Sequence, residues 1–274
     1  MTGTGNNKLK ELRTMKKSLV IVALASVALF SACQKENVKI QSTGMQAVIA
    51  QDSKTDLDGL KVTWSAGDAF AVWNAGAKAG TYTLTSGAGT NQGSFEGTGA
   101  ADGYIAVYPA SSNLSTDYSS ALANQTFGSN INGNLPMVGT ISDGATKATF
   151  NKPLLGVVRL NLTTTEELKA AVVSNIKFNL KSKSDWAAQV KIANDGAVSY
   201  AACTQQYINI AVGQAIGDGL TVDVVFPLSY DNYGGFKARD IEATITLGGA
   251  DKKITGKSIL VEPGKVTTID WNVK

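Results

Sequence analysis

Few side chains in this sequence carry the chemistry of catalysis or metal binding, and their spacing decides what each can do. The 274 residues include no histidine, which removes Ser-His-Asp and Cys-His catalysis and the commonest metal ligand. The two cysteines are Cys33 and Cys203. With Cys33 modified, Cys203 has no partner within the chain, so it reads as a small buried apolar residue rather than half of a disulfide. Gly256-Lys257-Ser258 ends like a phosphate-binding loop, but six residues separate it from Gly249 where four are required, and it is expected to be a turn. Asp56-Leu57-Asp58-Gly59 matches part of a calcium loop. There Lys54 would take the first ligand position and Ser65 the twelfth, so a solvated turn is the better account. Gly97-Thr98-Gly99 lacks the strand-to-helix setting that a dinucleotide needs. No pair of carboxylates stands out for glycoside hydrolysis. Trp64, Trp73, Trp186 and Trp271 can stack on sugars, but each lies in or beside an apolar strand, which favours core packing. No catalytic residue, metal site or cofactor is expected, and the chain is not read as an enzyme.

The chemistry that is legible lies near the N-terminus. Met15-Lys16-Lys17 precedes the apolar run Leu19–Phe30, which is shorter than the about 20 residues needed to span a bilayer. Small residues follow at once, in the order of a signal peptide. Leu29-Phe30-Ser31-Ala32-Cys33 resembles the lipobox of bacterial lipoproteins. The resemblance implies cleavage between Ala32 and Cys33 and acylation of the Cys33 thiol, with more than one acyl chain required for stable anchoring. Residues 1–32 are therefore expected to be the signal peptide, with Met15 as the true start, and residues 33–44 a lipidated linker. Gln34-Lys35-Glu36 resembles a surface-export tag and serves equally well as a linker.

The formal charge of +3 is a property of this leader. Residues 1–32 hold five of the 25 basic groups (Lys8, Lys10, Arg13, Lys16, Lys17) and one of the 22 acidic ones, Glu11. The remainder has 20 basic and 21 acidic residues, a net charge of −1. It has no basic excess with which to displace phosphate counterions, so nucleic acid is set aside.

The elements downstream have a period of two. Strands are expected at 61–64, 69–73, 80–85, 104–108, 157–163, 175–181, 188–192, 207–211, 220–226, 240–247 and 267–273, with turns at Ala66-Gly67-Asp68, Gly217-Asp218-Gly219, Gly248-Gly249 and Pro263-Gly264. Asn194-Asp195-Gly196 marks a hairpin between Val190–Ile192 and Val198–Tyr200. A single helix is expected over Thr164–Val173, capped by Thr164 or Thr165. The class is all-β. More than ten strands exceed one ordinary sandwich, so the body is divided into 45–155 and 156–274. In the last strand Ile269, Trp271 and Val273 alternate with polar residues, and Val266 precedes them.

Five segments, in order, resemble the fimbrillin family of type V pili. They are Val62-Thr63-Trp64-Ser65-Ala66-Gly67-Asp68-Ala69-Phe70; Gly93-Ser94-Phe95-Glu96-Gly97 with Tyr104–Pro109; Leu135-Pro136-Met137-Val138-Gly139; Phe150–Leu160; and Val261–Asp270. The resemblance implies two tandem transthyretin-like β-sandwich domains behind a lipoprotein signal peptide, on the cell surface with the outer membrane holding acylated Cys33. It also implies polymerisation with other fimbrial subunits by strand exchange, once a protease removes the first strand. Val266, Ile269, Trp271 and Val273 are the candidate exchange residues, donated into a groove opened around Gln46–Ala50. There is one departure from the family pattern. Members trimmed by an arginine-specific protease carry an early Arg, whereas the first Arg after the leader here is Arg159. Lys39 and Lys54 are the basic residues near the right place. The alternative is a surface lipoprotein that binds glycan or host protein without polymerising.

Overall fold

Alternating apolar residues between glycine-rich turns make short strands, and nineteen of them fill the described part of the chain. The computed structural model describes residues 43–50, 62–128, 131, 135–231 and 235–274. Ala32, Cys33, the leader, the linker up to residue 42 and the Asp56–Gly59 turn lie outside the described residues.

The N-terminal half contributes β1 (Thr43–Ile49), β2 (Ala69–Asn74), β3 (Ala77–Ser86), β4 (Gln92–Gly97), β5 (Ile105–Tyr108), β6 (Ser115–Asp117), α1 (Ser119–Ala123), β7 (Asn124–Thr126), β8 (Met137–Ser142) and β9 (Lys147–Pro153). Seven of these strands close a barrel in the order β1-β4-β3-β2-β5-β8-β9, and a parallel β1/β9 pair completes the ring. The inward side chains include Trp64, Phe70, Tyr82, Phe95 and Phe150, all fully buried. Their rings meet at centroid distances of 5.0–5.5 Å, mostly edge to face, the arrangement ring quadrupoles favour.

The C-terminal half contributes β10 (Gly156–Thr164), β11 (Val172–Asn179), β12 (Trp186–Ile192), β13 (Val198–Ala202), β14 (Tyr207–Ala215), β15 (Leu220–Phe226), β16 (Leu228–Ser229), β17 (Arg239–Leu247), β18 (Ala250–Ile259) and β19 (Val266–Val273). It forms a three-stranded sheet β15-β10-β19 and a sheet β18-β17-β11-β14-β7. Taking β10 for β1, β15 for β4, β14 for β3, β11 for β2, β17 for β5, β18 for β8 and β19 for β9 reproduces the strand order of the barrel, including its parallel closure by β10/β19. The halves differ at two seams. β3/β4 and β8/β9 are paired, whereas β14/β15 and β18/β19 are not, so one half rolls into a barrel while the matching strands of the other part into two sheets, beside a further sheet β13-β12-β16.

A strap from the N-terminal half fills one of those seams. β6 pairs with β12, and β7 pairs in parallel with β14. Gln125 on β7 then reaches β15: its amide nitrogen donates to the Val225 carbonyl at 2.8 Å, and its amide oxygen accepts from the Val225 N–H at 3.2 Å. One side-chain amide thus replaces a missing strand partner. At the start of the strap, the Asp117 carboxylate accepts from the Ser119 N–H and the Thr204 hydroxyl. Burial works against its charge, but these bonds, with the Ser119 hydroxyl, hold its carboxyl below the usual carboxylate range. Gln125→Ala is expected to lower the stability of the chain by about 1–3 kcal/mol, because Val225 keeps two buried polar groups without partners. The midpoint of urea unfolding measures it.

Several sequence expectations need correction. The helix expected over Thr164–Val173 is one short 3-10 turn, Glu166–Leu168. Thr164 belongs to β10, where its hydroxyl donates to the Val273 carbonyl, and the β-branched Val172 and Val173 open β11. Gly256-Lys257-Ser258 is not a turn but part of β18, where Thr255-Gly256 form a bulge and Gly256 takes φ 73°. Val62–Trp64 joins no ladder, although Val62 and Trp64 are buried and Trp64 exchanges backbone hydrogen bonds with Gly89 and Thr90. The Asn194-Asp195-Gly196 hairpin is present, with Ile192 opposite Val198.

Candidate assembly site

The first strand is the seam of the barrel. Along β1, Met45, Ala47 and Ile49 are buried, while Gly44 and Gln46 are exposed and Val48 is half-buried. Six residues of β1 pair antiparallel with β4 and four pair in parallel with β9. Taking β1 away leaves two unpaired edges and uncovers Phe95 and Phe150, the partners of Met45 and Ile49.

The W-x-x-G-D segment builds the floor of this slot. The Trp64 indole N–H donates to the Ala47 carbonyl at 3.3 Å, and its ring sits edge-on to Phe95, Tyr108 and Phe150. Gly67 turns the chain at φ 87°, a conformation glycine adopts without strain. The Asp68 carboxylate accepts from the Ser65 N–H at 2.7 Å and the Tyr108 hydroxyl at 2.9 Å. Burial, then the Asp68 charge, raises the Tyr108 hydroxyl well above the ordinary phenol range, so this pair is a fixed hydrogen bond at neutral pH. The motif is an architectural device.

The last strand lies in the other half. β19 pairs in parallel with β10 over eight residues, and among the described residues no strand lies on its other side. Ile269 and Val273 are buried and Trp271 is half-buried. Val266, grouped with them in sequence, has the opposite parity and lies on the other face, opposite Val157. The structure therefore brings three of the four candidate exchange residues onto one face. It does not bring β19 to β1. Of the four tryptophans, Trp64, Trp73 and Trp186 are core residues. Cys203 is buried, and its thiol donates to the Ser119 hydroxyl.

One surface feature was not anticipated. The bulge in β18 dents the outer face of the larger C-terminal sheet, leaving a cleft of about 300 Å³ lined by Lys177, Asn179, Glu242, Thr244, Lys253 and Thr255. Lys177 lies over the Tyr207 ring at 5.2 Å. The sequence signal for it was weak, since Gly256-Lys257-Ser258 reads as a turn and no strand is expected there.

No family model matches the sequence, and no curated protein matches it. Among solved structures, the chain is similar to a protein of Bacteroides ovatus assigned to cell adhesion, at 11% identity over 84% of this chain and 91% of that one, with a TM-score of 0.51. It is also similar to a fimbrial protein of Bacteroides ovatus (10% identity, 83% and 47% covered, TM-score 0.41). A third is a fimbrial assembly protein of Parabacteroides distasonis (13% identity, 84% and 90% covered, TM-score 0.37). The all-β fold described above is one that the chain shares with the first of these, the Bacteroides ovatus protein.

Proposed function

We propose that this chain is a structural or adhesive subunit of a bacterial surface fimbria, held on the outer membrane through acylated Cys33 and assembled by strand exchange. In this reading residues 45–155 and 156–274 are two tandem transthyretin-like β-sandwich domains, and the protein is not an enzyme. The observation that supports it most directly is the position of β1. It is the first described strand, it seals the barrel between two edges, and a short segment, 51–61, joins it to the rest. Cutting that segment frees β1 without severing any other described strand. Its partners are then other fimbrial subunits, which supply a strand in exchange. Electron micrographs of the purified protein, cut within 51–61, test the polymer: fibres are expected, and a persistent monomer would refute exchange.

Anchoring has its own test. Cys33→Ala is expected to move the protein from the detergent phase to the aqueous phase, because acyl chains supply about 0.8 kcal/mol per buried CH₂. Unchanged partitioning would exclude Cys33 as the anchor.

A second reading, a surface lipoprotein that binds glycan without polymerising, draws on the absence of an Arg between the leader and Arg159 and on the lysine-flanked cleft across β11, β17 and β18. It predicts a monomer after cutting, with saccharide binding lost on replacement of Lys177 and Lys253.

A further inference from the structure

The slot that β1 fills has an internal shape, and that shape sorts replacement strands. Its three inward positions differ in size. Met45 lies opposite Phe95 and Ile49 beside Phe150, and both slots hold large side chains. Ala47 lies directly opposite Gly93, and neither has a side chain beyond Cβ. A Cβ built on Gly93 would stand 2.5 Å from Leu84 Cδ1, 3.0 Å from Phe95 Cε2 and 3.0 Å from Trp64 Cδ1. The indole of Trp64 therefore lies against this Ala-Gly pair, bonded to the Ala47 carbonyl and in edge contact with three other rings. It cannot move aside without breaking those contacts. A close-packed interior resists added volume at such a place.

We infer that the slot accepts an extended segment only when a small residue holds its central inward position, with large apolar residues two places to either side. This rests on the strand-exchange reading and goes further by specifying the donor. The inward row of β19 is Thr267, Ile269, Trp271 and Val273. Any three consecutive members of it put Ile269 or Trp271 in the centre. The last strand of a second copy is thus a poor occupant, and the donor is a strand of large-small-large pattern from a different subunit.

Peptide exchange tests this on the full chain, cut at an introduced protease site within 51–61, with its own β1 still seated. Four fluorescent peptides are added: residues 43–50, the same with Ala47→Leu, the same with Ala47→Gly, and residues 266–274. Residues 43–50 and the glycine peptide are expected to enter, while the leucine peptide and residues 266–274 bind at least about tenfold more weakly. Equal binding of all four would overturn the selectivity and leave exchange standing. Failure of every peptide, residues 43–50 included, would overturn exchange itself. Ala47→Leu in the uncut chain gives an independent measurement: it should lower the thermal midpoint, whereas Val48→Leu, on the outer face, should not. Equal midpoints for the two would refute the tight central slot.

Discussion

Excising β1 is expected to leave a barrel that does not hold together alone. Full burial of Met45 and Ile49 contributes roughly 3–6 kcal/mol at about 1.5–3 each, before any ladder hydrogen bond is considered. Whole domains are stable by about 5–15 kcal/mol. The cut protein with its first strand washed out should therefore unfold at markedly lower urea, or recover stability by taking a strand from elsewhere. Sedimentation distinguishes the two, since recovery through exchange appears as species that grow with concentration. A cut, washed monomer with the midpoint of the intact chain would show that β1 is an ornament of the barrel.

Trp64→Ala is expected to be the most damaging single substitution in the N-terminal half, at about 3–5 kcal/mol. The indole is fully buried, touches three aromatic rings and satisfies the Ala47 carbonyl. For a chain of this size the loss corresponds to about 2–4 °C of thermal midpoint per kcal/mol. Trp271→Ala is the internal control. That ring is half-buried on an edge strand, so its loss should cost less. A smaller effect at Trp64 than at Trp271 would contradict the buried position assigned to it.

Several strands with clear alternation were legible in the sequence. Leu220–Phe226 matches β15 residue for residue, and Ala69–Trp73 falls within β2. Others escaped, β1, β4, β8 and β9 among them, and for three of those missed the physical reason is plain. β18 is an edge strand with Lys252, Lys253 and Lys257 along it, the charged dressing that keeps edges from aggregating. β6 and β7 are three residues each, too short for any period to register. The strand order shared by the two halves was equally hidden, because it resides in backbone pairing and needs no residue identities in common. At the candidate site, Trp64 and the Gly67-Asp68 turn could be picked out by type and spacing. The opposition of Ala47 and Gly93 could not, since it depends on register between strands separated by a long stretch of chain. The false helix over Thr164–Val173 arose from treating capping residues and acidic groups as sufficient, when β10 and β11 together leave room for one turn.

The parallel closures have a mechanical consequence. β1 and β9 run in the same direction, and so do β10 and β19. Tension drawn along the chain from Thr43 to Pro153 slides the first pair lengthwise, and tension from Gly156 to Val273 does the same to the second. Under such a load the hydrogen bonds across each pair bear force together. The antiparallel hairpin β17/β18, pulled at Arg239 and Ile259, opens one residue pair at a time instead. Resistance to pulling is set by how fast the strained state is reached, not by equilibrium stability. A fold that meets traction in shear at both of its parallel closures can therefore carry a tether which a chain of hairpins, equally stable at rest, would let go.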